Sequence, residues 1–128
     1  MSIHQPLCAA GDLAMTALRG SGAQQKQYAT VYATNHSART CWLVGYATVG
    51  LRLAGAAFGA PATPGGTGQP ALALAPRAKA QALLHGPSTC EAGVSDSVRV
   101  SAPGQSAFTD VAGVPMRGCA LTIDAFTL

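Results

Sequence analysis

What this sequence has least of is charge: only 10% of its 128 residues are Asp, Glu, Lys or Arg, against about a quarter in an average globular domain. Eight basic and five acidic side chains leave a net charge of +3. The basic residues Arg19, Lys26, Arg39, Arg52, Arg77, Lys79, Arg99 and Arg117 stand singly along the chain. No cluster tracks a phosphate backbone, so nucleic acid is not an expected partner. Large apolar side chains are scarce too. Hydrophobic residues reach 48%, but Ala supplies much of that, and the aromatics are one Trp, three Tyr and three Phe. No segment is long and apolar enough to span a bilayer. Disorder is excluded as well, because it needs low hydrophobicity together with high net charge. A core of small side chains buries little area, and at about 25 cal/mol per Å² it contributes little stability. Some other staple is expected.

Four cysteines, Cys8, Cys41, Cys90 and Cys119, can supply it. No pair has C-x-x-C spacing and no Cys/His cluster resembles a zinc knuckle. An even number of widely spaced cysteines in a small domain reads as a disulfide framework formed in an oxidising compartment. The alternative is a cytosolic protein with free thiols. Four cysteines allow three pairings, and spacing does not choose among them. Met1-Ser2-Ile3-His4-Gln5 lacks the basic and apolar regions of a signal peptide. Cys8, preceded by His-Gln-Pro-Leu, is a poor lipoprotein cleavage site. Residues 1–7 therefore read as the tail of a mature exported fragment, and residues 8–128 as one domain.

Period-two alternation between Gly/Pro/Asn/Ser clusters dominates the chain. Strands are expected at Asp12 to Leu18, with Leu13 and Met15 inward, and at Gln27 to Asn35, with Ala29, Val31 and Ala33 on one face. A third stretch runs from Cys41 through CWLVGYATVGLRLAG. Gly59 to Pro70 reads as an exposed loop, rich in Gly, Pro and Thr. ALALAPRAKAQALLHG reads as strand, loop, strand; an Ala-rich helix over Arg77 to Leu84 competes, since Ala is the best helix former. Ser97 to Ala102 and Cys119 to Leu128 complete the strands, with a turn at Ala102-Pro103-Gly104-Gln105. Many short strands with turn signals between them predict an all-β sandwich.

The order of these pieces resembles the actinobacterial domain-of-unknown-function family numbered 4232, found in secreted proteins and lipoproteins of the cell envelope. The residues that carry the resemblance are Cys8 with the Asp12-Leu13 strand, VYATN ending at Asn35, and CWLVGY from Cys41. Leu74-Ala75-Pro76, Cys90, the strand and turn from Val98 to Gly104, and Cys119-Ala-Leu-Thr-Ile123 follow. Arg77 departs from the pattern, because Gly often follows the Pro in such domains. The resemblance implies an immunoglobulin-like antiparallel β-sandwich, export, and the pairs Cys8–Cys41 and Cys90–Cys119. On the chain-entropy model each loop of roughly 30 residues would stabilise the fold by about 3–4 kcal/mol.

Chemistry is hard to assemble from what remains. No G-x-S-x-G elbow surrounds any Ser, and His4, His36 and His85 fall in a tail, a connection and a strand end. The carboxylates Asp12, Glu91, Asp96, Asp110 and Asp124 read as solvated or turn residues with nothing pairing them. His4, His36, His85, Met15 and Met116 are not spaced as a soft-metal motif. Neither an enzyme nor a cofactor is expected. The Asn35-His36-Ser37 sequon agrees with an exposed loop.

The aromatics have more shape. Were the second and third strands a hairpin with Thr34 opposite Thr40, Tyr32 would face Trp42 and Tyr28 would face Tyr46. Tyr28, Tyr32, Trp42 and Tyr46 would then form one binding face. The reading weighed against it, and favoured, is that some rings fill the core or that the two strands lie in opposite sheets. The leading functional reading is a non-catalytic module of the envelope or extracellular space that binds a protein or cell-wall component. Its sheet face or its loops, Ala57 to Pro70 and Ala107 to Arg117, would carry recognition. The alternatives are a passive spacer domain and, remotely, a small hydrolase. Thiol titration in denaturant, with peptide mapping of the unreduced protein, should find no free thiol and the two pairs named above. Four free thiols in protein never exposed to reductant would overturn the compartment argument.

Overall fold

Alternation becomes strand through most of the chain. The computed structural model describes residues 6–65 and 71–128, and among these no α-helix occurs. The strands are β1 (Leu13–Arg19), β2 (Lys26–Asn35), β3 (Cys41–Val44), β4 (Thr48–Leu53), β5 (Ala56–Phe58), β6 (Thr63–Pro64), β7 (Ala71–Leu74), β8 (Lys79–Pro87), β9 (Ser97–Ser101), β10 (Thr109–Ala112) and β11 (Thr122–Ile123). They form a five-stranded sheet in the order β1-β2-β8-β11-β6, a four-stranded sheet β10-β9-β4-β5, and a pair β3-β7. Their inward residues merge into a single hydrophobic core. The protein is all-β with two disulfides, consistent with the immunoglobulin-like sandwich that the resemblance implies.

The two main sheets contribute different sizes of side chain. Across the five-stranded sheet the inward rows run Met15, Ala33, Ala80, then Ala17, Val31, Ala82, then Ala29, Leu84, Ile123. The four-stranded sheet offers Val49 beside Val100, and Leu51 beside Val98 and Phe58. Alanine on one side and Val or Leu on the other meet in the core between the sheets. The Arg77 to Leu84 helix is therefore not formed. Ala80, Ala82 and Leu84 lie on one buried face of β8, because a strand there completes the alanine rows while a helix would scatter them.

Three expectations need correction. The stretch from Cys41 is not one strand: Gly45, at φ 99°, breaks it into β3 and β4, which join different sheets. Within the loop expected at Gly59 to Pro70, Thr63 and Pro64 pair in parallel with Thr122 and Ile123; residues 66–70 of that loop, like His4 in the tail, lie outside the described residues. The Ala107 to Arg117 loop contains β10, whose Thr109 to Ala112 pair with β9.

Two buried carboxamides bracket β2. Its inward face reads Gln27, Ala29, Val31, Ala33, Asn35. Asn35 donates to the carbonyls of Arg39 and Leu74 at 2.8 and 2.9 Å and accepts from the Ser37 amide and hydroxyl. That uses the full hydrogen-bonding capacity of the side chain. Gln27 donates to the Pro87 and Arg117 carbonyls and accepts from the Arg117 amide. Asn35 is 0% exposed, so the sequon does not mark an accessible loop residue; its amide is consumed inside the fold. The disulfides join Cys8 to Cys41 and Cys90 to Cys119, the pairing that the resemblance implies.

Arg77 keeps the turn that a Gly would make. Ala75-Pro76-Arg77-Ala78 closes with the Ala78 amide donating to the Ala75 carbonyl at 2.9 Å, and Arg77 sits at φ 69°. Pro at the second and a left-handed residue at the third position define a type II turn. An L side chain there costs about 1–2 kcal/mol. Arg77→Gly should therefore raise stability by up to ~1 kcal/mol after the added freedom of the unfolded chain is counted. Asn35→Ala, which strands buried backbone groups, should lower it by about 2–4 kcal/mol. Urea denaturation of both variants checks the two signs.

Candidate functional site

The outer face of the four-stranded sheet carries a groove of about 400 Å³. Alternation builds it. Along β4, Val49 and Leu51 are buried, so Thr48, Gly50 and Arg52 point outward. Register then sets Arg99 of β9 opposite Gly50 on one side and opposite Asp110 of β10 on the other. Gly50 forms the floor because it has no side chain, and a Cβ placed there would meet nothing within 4 Å. Ala57, Gly59 and Pro61 line one wall, and Arg99 and Phe108 stand on the other.

Arg99 is paired with a carboxylate. Its Nε and Nη2 donate to the two carboxylate oxygens of Asp110 at 2.7 and 2.9 Å, and its guanidinium carbon lies 3.6 Å from the centre of the Phe108 ring. Such a forked, stacked arrangement suits Arg and not Lys. The Arg99 hydrogen bonds, with added attraction from the Arg99 and Arg52 charges, hold the Asp110 carboxyl below its ordinary value of 3.8.

Arg52 is less committed. Its Nη2 donates to the Gly55 carbonyl at 2.7 Å, but its Nε is buried with no acceptor. Gly55 lies in the Ala54-Gly55 turn between β4 and β5, both residues at positive φ, as a two-residue hairpin loop requires. Asp96 supports that turn by accepting from the Ala54 amide; this bond first, and the Ser97 hydroxyl second, lower its carboxyl below the ordinary value.

The four aromatics do not share a face. β2 and β3 lie in different sheets, so the hairpin that would pair Tyr32 with Trp42 and Tyr28 with Tyr46 does not form. Tyr28 and Tyr32 stand half-buried on the outer face of the five-stranded sheet, opposite His85 and Gln81 of β8. The Lys79 ammonium sits 4.9 Å from the centre of the Tyr32 ring. Trp42 instead anchors the N-terminal segment through its backbone: its amide donates to the Pro6 carbonyl, and its carbonyl accepts from the Cys8 amide, each at 2.8 Å. Tyr46 lies between β3 and β4.

Two other readings change. Asp124 is buried, and its Oδ1 lies 2.8 Å from His85 Nε2, so neither is an unpaired surface group. His36 is exposed. Met116 is fully buried and Met15 packs against the core. The described residues contain no group of three or more His, Cys, Asp or Glu placed to hold a metal. Among the described residues no helix is long and apolar enough to cross a membrane.

A family model described as "Domain of unknown function (DUF4232)" matches residues 8–127. No curated protein and no solved structure matches the chain.

The Arg99–Asp110 pair has a defined pH signature. A depressed carboxyl contributes stability above its ordinary range, and the contribution disappears as pH falls through the lowered value. Carboxyl-carbon NMR should show Asp110 titrating below 3.8, and Arg99→Gln should return it toward that value. An Asp110 titration indifferent to the substitution would contradict the pairing.

Proposed function

The chain belongs to the DUF4232 family, and we propose that it is an exported, non-catalytic recognition module that holds its ligand in the groove over Gly50. One observation carries this reading. The groove gathers residues from both segments that the sequence marks for recognition: Ala57, Gly59 and Pro61 from the first, Phe108 from the second. Its volume of about 400 Å³ lies in the range of ligand sites, and the walls combine an apolar surface with two guanidinium groups. Two disulfides support assembly in an oxidising setting, which for this module is the extracellular space or the cell envelope. The ligand class is a protein or cell-wall component.

Gly50→Trp fills the groove from its floor. The position is ordinary strand, open above, so the indole is accommodated without disturbing the core. Co-sedimentation with actinobacterial cell walls and envelope membranes should retain the native protein, and the variant should lose at least about tenfold of that retention with its melting temperature unchanged. Equal retention of the two proteins moves the ligand off this sheet. A native protein that neither fraction retains is the passive spacer.

A further inference from the structure

We propose that the groove docks an acidic peptide segment of a partner protein, with an Asp or Glu carboxylate on Arg52 and an adjacent apolar side chain on Phe108. This rests on the groove being the recognition site and names what it recognises. Two cations and one carboxylate, Arg52, Arg99 and Asp110, leave the groove with one positive charge in excess. Asp110 occupies the Nε/Nη2 edge of Arg99 and offsets its charge. Arg52 forms no ion pair among the described residues, and residues 1–5 and 66–70 contain no carboxylate side chain to give it one.

Its hydrogen bonding points the same way. A buried N–H without an acceptor is disfavoured by about 1–3 kcal/mol, and the Arg52 guanidinium carries one at Nε while a neutral carbonyl takes Nη2. Rotation of the side chain presents Nε and an Nη together, the edge that a carboxylate engages through two parallel hydrogen bonds. One uncommitted cation matches a singly charged carboxylate better than a phosphate polymer, which recruits several. Phe108 supplies the second contact: it is 54% exposed, with the Arg99 guanidinium stacked on its ring. Neighbouring acidic and apolar groups are what a short peptide presents.

The test is selection from a randomised library of displayed hexapeptides by the whole protein. The native protein should enrich Asp or Glu at one position at least about fivefold over Asn or Gln, beside an apolar residue. Arg52→Gln should abolish the acidic preference and keep the apolar one, and Phe108→Ala should do the reverse; both should melt within a few degrees of the native protein. Arg52→Lys should keep a weakened acidic preference, which separates loss of charge from loss of folding. No acidic enrichment, or enrichment that survives Arg52→Gln, overturns the proposal. Should Gly50→Trp abolish retention on envelope fractions while the library yields no acidic motif, the groove stands as the site and the acidic peptide does not. Arg52-dependent retention on purified wall polymer without that motif likewise overturns the acidic peptide, and makes the polymer the occupant.

Discussion

The fold depends on the inward face of β2, where three small or medium apolar residues lie between two carboxamides. Ala29, Val31 and Ala33 let the two main sheets fill their interface with little bulk, and an interface of that kind yields modest hydrophobic stabilisation. The remainder is supplied at the two ends of the same strand. At one end Asn35 binds the Leu74 carbonyl, and Leu74 pairs with Cys41, half of the first disulfide. At the other, Gln27 ties Pro87 to Arg117, close in sequence to Cys90 and Cys119 of the second. Each end therefore couples a buried, multiply bonded carboxamide to a covalent link. Both devices act where strands leave the sheet and the backbone groups lack ladder partners. Gly86 shows how tightly the second end is closed: a Cβ there would stand 2.6 Å from the Ala120 carbonyl oxygen.

Much of this was legible in the sequence, because strong period-two alternation survives into strands whatever the tertiary context. Leu13, Ala29, Val31, Ala33, Ala80, Ala82, Leu84, Val98 and Val100 all face the core as the alternation predicts. What escaped were features whose signal is not periodicity. Gly45 interrupts an apolar run without any cluster of turn residues, so β3 and β4 read as one strand although they belong to different sheets. The short strands β5, β6 and β10 are two to four residues long, too brief for alternation to register. Gln27 and Asn35 sit at inward positions of β2, but a polar residue at a strand end reads as a turn signal. Only the partners, 39 to 90 residues away in sequence, reveal the buried role.

The groove was legible only in part, and for a different reason. Ala57, Gly59 and Pro61 on one wall and Phe108 on the other come from segments that the sequence marks as recognition loops. The residues that give it chemistry do not announce themselves: Arg52 and Arg99 are isolated arginines, and a single arginine on a strand is ordinarily a solvated one. Register makes the difference. Placing Arg99 between Gly50 and Asp110 commits one guanidinium to a carboxylate, and the absent side chain at Gly50 opens the surface beside it. The aromatic face failed by the same logic in reverse. Alternation did place Tyr28 and Tyr32 together, but grouping them with Trp42 and Tyr46 required a strand pairing that the Gly45 break and the pairing of β3 with β7 exclude.

Alternation also divides the labour within single strands. In β4, Val49 and Leu51 belong to the core, while Thr48, Gly50 and Arg52 belong to the groove; in β9, Val98 and Val100 face inward and Arg99 faces out. A change on the outer face leaves the alanine rows, the carboxamide clamps and the disulfides in place. Surface substitutions of that kind usually stay within about 0.5 kcal/mol. Phe58 marks the limit of this separation, since it packs against the core from β5 while its neighbour Ala57 lines the groove. A scaffold whose core, carboxamide bonds and disulfides lie away from the outer face of the four-stranded sheet thus leaves that face free to carry the chemistry of recognition.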